Sequence, residues 1–277
     1  MRAGLCWTAV ALVVALSCGR QIRQSGVQTG DGDDSSAVAD GAAPGRAGLP
    51  VLFDGFETDS VAGFWRPGDY GSGRYEAGAI TISRAFVRTG LGSVRITIRE
   101  GDIEQHGDSG QLTERAELDS GKFPLMNRDM WYGFSFLIPS DFPIVDRRLV
   151  IAQWKQSGLP GSPLVAQRFR GGRHHLTIRA AGFMGRGAGR HFELPGITAG
   201  QWHDMVYHIR FSPDGDGVVE VWMNGARAVV YEGATAMPGG SEIYNKIGLY
   251  RDRWKDPMTI YFDDYRLGGS SVDVSPH

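Results

Sequence analysis

From Leu52 onward, short runs of alternating or β-branched residues recur between Gly, Pro, Asn and Asp clusters. The runs are Ala79 to Ser83, Ser93 to Arg99, Met130 to Ile138, Leu149 to Lys155, His174 to Ala180, Met205 to Phe211, Val218 to Met223, Ala226 to Tyr231 and Thr259 to Leu267. A period of two between turn residues predicts strands, and strands at this spacing predict an antiparallel sandwich. Phe134, Phe136 and Ile138 fall on one face of their strand, while Asp214-Gly215-Asp216-Gly217 and Asn224-Gly225 supply turns. The segment from His203 to Val230 reads as strand, turn, strand, turn, strand, an arrangement common in concanavalin-like jelly rolls. The predicted fold is an all-β jelly-roll sandwich of two antiparallel sheets with a concave groove for a chain-like ligand.

Three strand segments carry polar residues two apart, which places them on one face. In ERAELD, Arg115 and Glu117 share a face, and Ala116 and Leu118 take the other. In VIAQWKQ, Gln153 and Lys155 share a face, with Val150, Ala152 and Trp154 opposite. In YNKIGLYRD, Lys246 and Tyr250 share a face across Gly248, opposed by Ile247 and Leu249. Each strand thus offers an apolar side for a core and a polar side for a groove.

Before Leu52 the pattern changes. Arg2, an apolar run from Ala9 to Leu16 and the small residues ending at Ser17-Cys18 read as an export signal over residues 1–18, too short for a mature membrane span. ALSC-G resembles a bacterial lipoprotein box, which would make Cys18 a lipid anchor; ordinary cleavage near Ser17 is the alternative. Residues 19–48 are rich in Gly, Ser, Ala and Asp and are expected to be a flexible tether, since they cannot bury enough surface to offset their ordering entropy. Residues 49–277 are left for a single monomeric domain. Of the two cysteines, Cys6 leaves with the signal, so no disulfide can form within the mature chain. The expected location is the cell envelope or the exterior.

The formal net charge of -2 excludes a global bias toward polyanions. Charge is segregated locally, however: nine basic residues and no Asp or Glu lie between Arg147 and Arg190, and Lys246, Arg251, Arg253 and Lys255 follow. This points to a surface that concentrates an anionic partner. No nucleic-acid motif is present, and with export a carboxylated or sulfated glycan fits better than nucleic acid.

The three polar segments, in this order, resemble the conserved strands of jelly-roll polysaccharide lyases, the group containing alginate lyases, glucuronan lyases and heparin lyase I. The corresponding alginate lyase patterns are Arg-x-Glu-x-Arg, Gln-x-His and Tyr-x-Lys-x-Gly-x-Tyr-x-Gln. The likeness runs from Leu52 to Gly268 and includes LFDGFE, WYGFSFLIP and IYFDDYRLG. It implies β-elimination on a uronate-containing polysaccharide, with no required cofactor. Gln153, Arg115 and Lys246 would neutralise the uronate carboxylate, and Tyr250 would protonate the departing oxygen and serve as base, alone or with a partner.

Two departures bear on substrate. Lys155 stands where alginate lyases have His, and Asp119 where they have the second Arg, which moves the chain away from alginate. Lys155 is then a neutraliser or a base, and His208 and His106 are candidates for the missing imidazole. His208 shares a strand face with Val206 and Arg210. Glu117, Arg168, Arg170, Tyr244 and Arg251 are the further residues expected to meet substrate, with Tyr75 and Trp254 as weaker candidates. Arg115 and Glu117 also fit a buried ion pair that orients the groove. Trp131, Trp154, Trp202 and Trp222 read as core.

Asp54, Glu57, Asp263 and Asp264 come from the two chain ends and carry oxygen ligands of the kind that hold a structural Ca2+, principally at Asp54 and Asp263; turn roles are the alternative. A jelly-roll glycoside hydrolase would need a second carboxylate three residues after Asp119, where Lys122 stands. A non-catalytic lectin-like module binding anionic glycans is the stronger rival, because it would keep the basic groove and need no Tyr-Lys-Gln set.

Overall fold

Alternation resolves into two sheet faces in the computed structural model, which describes residues 49–67, 78–105, 112–159, 161–182 and 189–275. Among these residues there are seventeen strands, one 3-10 turn at Ser271–Asp273 and no α-helix. The first sheet runs in the order β15 (Ala226–Glu232), β14 (Val218–Met223), β13 (His203–Arg210), β8 (Asp129–Leu137), β17 (Met258–Gly268), β4 (Ser93–Ile98) and β3 (Ile80–Ser83), with β1 (Leu52–Asp54) paired to β17. The second runs β12 (Arg190–Glu193), β11 (Arg173–Ile178), β10 (Val165–Arg170), β9 (Leu149–Gln156), β16 (Glu242–Asp252), β6 (Leu112–Asp119) and β2 (Arg66–Pro67). β5 (Ile103–Gln105) pairs with β6, and β7 (Phe123–Pro124) with β16. Every pairing is antiparallel, as the jelly-roll expectation requires.

The inner faces meet in one apolar core. Phe134, Phe136 and Ile138 enter it together, as their alternation predicts. Trp154 of β9 is fully buried and reaches the other sheet, with ring centroids 5.4 Å from Tyr132 and 4.6 Å from Tyr207. A side chain of this size contributes about 2–3 kcal/mol by leaving water. Trp131 and Trp222 differ from expectation. They are half-buried on the outer face of the first sheet, where Trp131 stacks on His208 at 4.5 Å and on Trp222 at 5.5 Å.

One irregularity shapes the second sheet. Opposite β10, β9 skips from Ala152 (facing Gln167) to Val150 (facing Arg168), so Ile151 is an extra residue, a β-bulge. The β9 to β16 register shifts at the same level, between Ile247 and Tyr250. Ile151 and Ala152 therefore both enter the core, and Val150 turns to the outer face beside Ala166 and Tyr250. This corrects the strict alternation, which put Val150 on the core side; an inserted residue inverts the parity of everything beyond it.

β16 crosses β6 so closely at Gly248 that a Cβ there would lie 2.4 Å from the Ala116 carbonyl oxygen, and its φ of +142° is one L side chains rarely adopt. Gly248→Ala is expected to destabilise the fold by about 3 kcal/mol, read as a lower urea midpoint at unchanged slope. An unchanged midpoint would show that the two strands can separate without cost.

Candidate active site

The face of the second sheet turned away from the core is built from β6, β16, β9 and β10. Regular pairing sets Lys246 opposite Asp119, Gly248 opposite Glu117 and Tyr250 opposite Arg115. On the other side of β16, Tyr244 faces Lys155, Lys246 faces Gln153 and Tyr250 faces Val150. The residues expected from the three motifs thus lie together on one face, Tyr250 with Lys246, Gln153, Lys155, Arg115, Glu117 and Tyr244.

Glu117 sits at the centre and is fully buried. One carboxylate oxygen accepts from Gln153 Nε2 at 2.5 Å. The other lies 3.0 Å from Arg115 Nε, an ion pair rather than an aligned hydrogen bond. Lys246, 1% exposed, has its pKa lowered to about 8 by burial and by Arg115 and Lys155, against the pull of Glu117 and Asp119. Gln153 is fixed further because its backbone oxygen accepts from Asn245 Nδ2 at 3.2 Å. Three cationic groups and one amide thus crowd around two carboxylates. A field of this sign receives an anion.

Tyr250 stands at the edge of this cluster, 8% exposed. Its ring is clamped between guanidiniums, with Arg115 Cζ 4.2 Å and Arg148 Cζ 4.8 Å from the centroid. Arg148 is held by Asp252, whose Oδ1 lies 2.7 Å from its Nη2. Sequence reasoning missed Arg148 as a site residue, although it belongs to the acid-free stretch. Lys246 Nζ lies 5.7 Å from the ring centroid of Tyr244.

A sequence profile of the polysaccharide lyase family matches residues 53–266, which contain every residue of this cluster. The chain belongs to the polysaccharide lyase family. In fold the lyase is similar to an endo-β-1,4-glucuronan lyase from the fungus Trichoderma reesei, at 19% identity over 80% of this chain and 97% of that one, with a TM-score of 0.62. It is similar also to a cellulose-induced protein, at 13% identity over 79% of this chain and 97% of that one, with a TM-score of 0.52. A family 7 alginate lyase in complex with product gives 17% identity, coverage of 71% and 85%, and a TM-score of 0.50. At such identities the likeness is one of fold. No curated protein sequence matches the chain.

Other expected residues fall elsewhere in the lyase. His208 does share a face with Val206 and Arg210, but that face is the outer side of the first sheet, remote from Tyr250. There His208 Nδ1 lies 3.0 Å from Glu220 and Nε2 3.0 Å from Asp129. Arg251 has the opposite parity to Tyr250 and is fully buried, with Nε donating to Glu114 at 2.7 Å and Nη1 and Nη2 donating to the Asp256 and Trp254 carbonyls at 2.7 Å each. Its role is to tie down the strand end, because a fully buried guanidinium whose three nitrogens all bond within the protein is not presented to a ligand. Arg170 is exposed and paired with Asp146 at 2.6 Å, whereas Arg168 faces Val150 on the groove side. Trp254 packs near Glu114, to which its backbone N–H donates at 3.2 Å. His106, Tyr75, Cys18, the export signal and the tether lie outside the described residues.

The acidic residues of the chain ends are engaged within the protein. Asp54 accepts from the Phe56 and Ala62 backbone and from Trp65 Nε1 at 2.7–2.8 Å. Glu57 accepts from Leu91 N at 2.7 Å. Asp263 accepts from three backbone N–H groups, of Arg88, Thr89 and Asp264, and burial raises its pKa to about 6. Among the described residues no three His, Cys, Asp or Glu side chains group closely enough to hold a metal ion.

Removing one partner from a buried ion pair leaves the other charge uncompensated, at about 3–5 kcal/mol. Arg251→Met is therefore expected to lower the stability of the lyase by that amount in urea denaturation. If Arg251→Met instead left the urea midpoint in place while weakening substrate binding, Arg251 would belong to the groove after all.

Proposed function

We propose that the lyase cleaves a uronate-containing polysaccharide by β-elimination, leaving an unsaturated uronate at the new non-reducing end. The observation that carries this reading is the placement of Tyr250, between two guanidiniums and beside the Glu117–Gln153–Arg115–Lys246 network. The C5 proton of a uronate is poorly acidic until its carboxylate is neutralised and the charge that grows on it in the transition state is stabilised. Arg115, Gln153 and Lys155 supply donors for that carboxylate, with Lys246 adding positive potential from beneath. Because the donors are held before substrate arrives, little reorganisation is left for the chemical step.

Tyr250 is the proton carrier in this reading. Its hydroxyl protonates the departing O4, and where H5 and O4 lie on the same side of the C4–C5 bond the same oxygen, entering the step as phenolate, can take H5 and pass that proton on to O4. With His208 on the other sheet, the share of the base role falls to Lys155, which faces Tyr244 on the groove side. The bond from C4 to O4 breaks, a double bond forms between C4 and C5, and no water is consumed. Glucuronan and alginate, named for the structurally similar lyases, are polymers of the required chemistry, and Asp119 and Lys155, which depart from the alginate lyase pattern, argue against alginate.

The test is to incubate the purified lyase with glucuronan, alginate, heparin, heparan sulfate, pectate and hyaluronan and to follow ultraviolet absorbance of the unsaturated product. At least one polymer should give rising absorbance, and Tyr250→Phe should lose about 100-fold or more of that rate while still binding the polymer. Binding without absorbance on every polymer would establish a glycan-binding module instead. Retained turnover in Tyr250→Phe would remove Tyr250 from the chemistry.

A further inference from the structure

Beyond Tyr250 the same outer face continues into a cavity of about 270 Å3 whose lining includes Arg148, Arg168, His175, Thr177, Arg179 and His191. The strand registers align it with the reaction centre. Arg115, Tyr250, Val150, Arg168 and His175 stand opposite one another on five successive strands, and Lys246, Gln153, Ala166, Thr177 and His191 form the next row. Arg168 is two strands from Tyr250, about 10 Å at the usual strand spacing. The floor between them is made by the small side chain of Val150 and, in the next row, that of Ala166, which with Tyr250 form a separate apolar cluster. The bulge at Ile151 is what turns Val150 outward to make this floor.

The far end of the floor is cationic. Arg168 Nε donates to Thr177 Oγ1 at 2.9 Å, which fixes the guanidinium in place. Burial, then Arg148, lower its pKa to about 10, so it remains charged at neutral pH. Asp252 acts on Arg168 across space but is itself engaged with Arg148. The imidazoles of His175 and His191 stack at 6.4 Å and form part of the wall. Arg148 belongs to both ends, since it lines the cavity and covers the ring of Tyr250.

We infer that this cavity is a second anion subsite, which takes the carboxylate or sulfate of a sugar further along the same chain while Tyr250 works on the scissile residue. The inference rests on the polyuronate reading and deepens it. Planar guanidinium forks bind such oxyanions in bidentate fashion, and a floor without long side chains leaves room for the intervening ring. The consequence is a substrate class with negative charge on successive or nearby sugars, rather than a neutral glycan with an isolated uronate. Arg168, Arg179 and His175 then govern affinity, and Tyr250 governs turnover.

Isothermal titration of a glucuronan tetrasaccharide, and of the same tetrasaccharide carrying sulfate esters, into Tyr250→Phe and into Tyr250→Phe/Arg168→Gln tests this directly. The Gln retains a donor toward Thr177 and removes the charge. Tyr250→Phe/Arg179→Gln serves as a second variant at a less central position, should the first lose its thermal transition. Affinity should fall at least about tenfold on loss of either charge. A fall for the unsulfated chain identifies a carboxylate, and a fall confined to the sulfated chain identifies sulfate. Affinities within twofold of the parent for both ligands, or no binding of either ligand to the parent, would overturn the subsite. Charge-dependent binding with no unsaturated product from the unmutated lyase would sink the elimination reading and leave the subsite standing.

Discussion

Glu117 is a carboxylate withdrawn from water within a face otherwise dominated by cations, and the geometry of that face depends on it. Gln153 and Arg115 take their positions from its two oxygens, and the Lys246 ammonium is held charged against burial partly by its field. Taking several charges out of water costs several kcal/mol each unless opposite charges and hydrogen bonds offset it. One carboxylate, helped by Asp119, offsets only part of the positive charge gathered there. The cluster is therefore stable enough to fold and still short of neutral, which is the condition under which it favours an arriving uronate carboxylate.

Backbone irregularities give that electrostatic arrangement its shape. Gly248 lets β16 lie against β6 so that Tyr250 and Lys246 meet Arg115, Glu117 and Asp119 at close range. The extra residue Ile151 then inverts the parity of β9 between Gln153 and Val150. Polar Gln153 and Lys155 stay on the groove side near the cluster, while a small apolar residue takes that side beside Tyr250. A regular strand would have put Ile151 there and closed the path toward Arg168.

Much of this was legible from alternation. The runs around β3, β4, β8, β9, β11, β13, β14, β15 and β17 match the strands to within a residue or two, because a half-buried strand must alternate. The grouping of Tyr250, Lys246, Gln153 and Arg115 was legible because polar residues two or four apart share a strand face and the three segments follow a recognisable order. What sequence could not supply was which sheet a face belongs to. His208 obeys the same alternation as Gln153, but its strand pairs with β8 and β14, so it opens on the other side of the molecule. Arg251 sits among groove cations in sequence, but parity within YNKIGLYRD puts it on the face opposite Tyr250, where it is buried against Glu114. His175 alternates with Thr177 and Arg179 inside the acid-free stretch, a pattern that marks it as groove-facing, whereas His191 joins them only through the pairing of its strand with theirs.

Glu117 helps to keep Lys246 charged, so the pH profile of kcat/KM in the unmutated lyase and in Glu117→Gln is the most direct measurement. A lysine with pKa near 8 is cationic below that pH and neutral above it, so activity should fall on the alkaline side with an apparent pKa of about 8. Removing the carboxylate removes an influence that raises the Lys246 pKa, and the alkaline limb of Glu117→Gln should move to lower pH along with a loss of rate. An alkaline limb at the same pH in both proteins, or a Glu117→Gln lyase with undiminished kcat/KM, would contradict this role of Glu117.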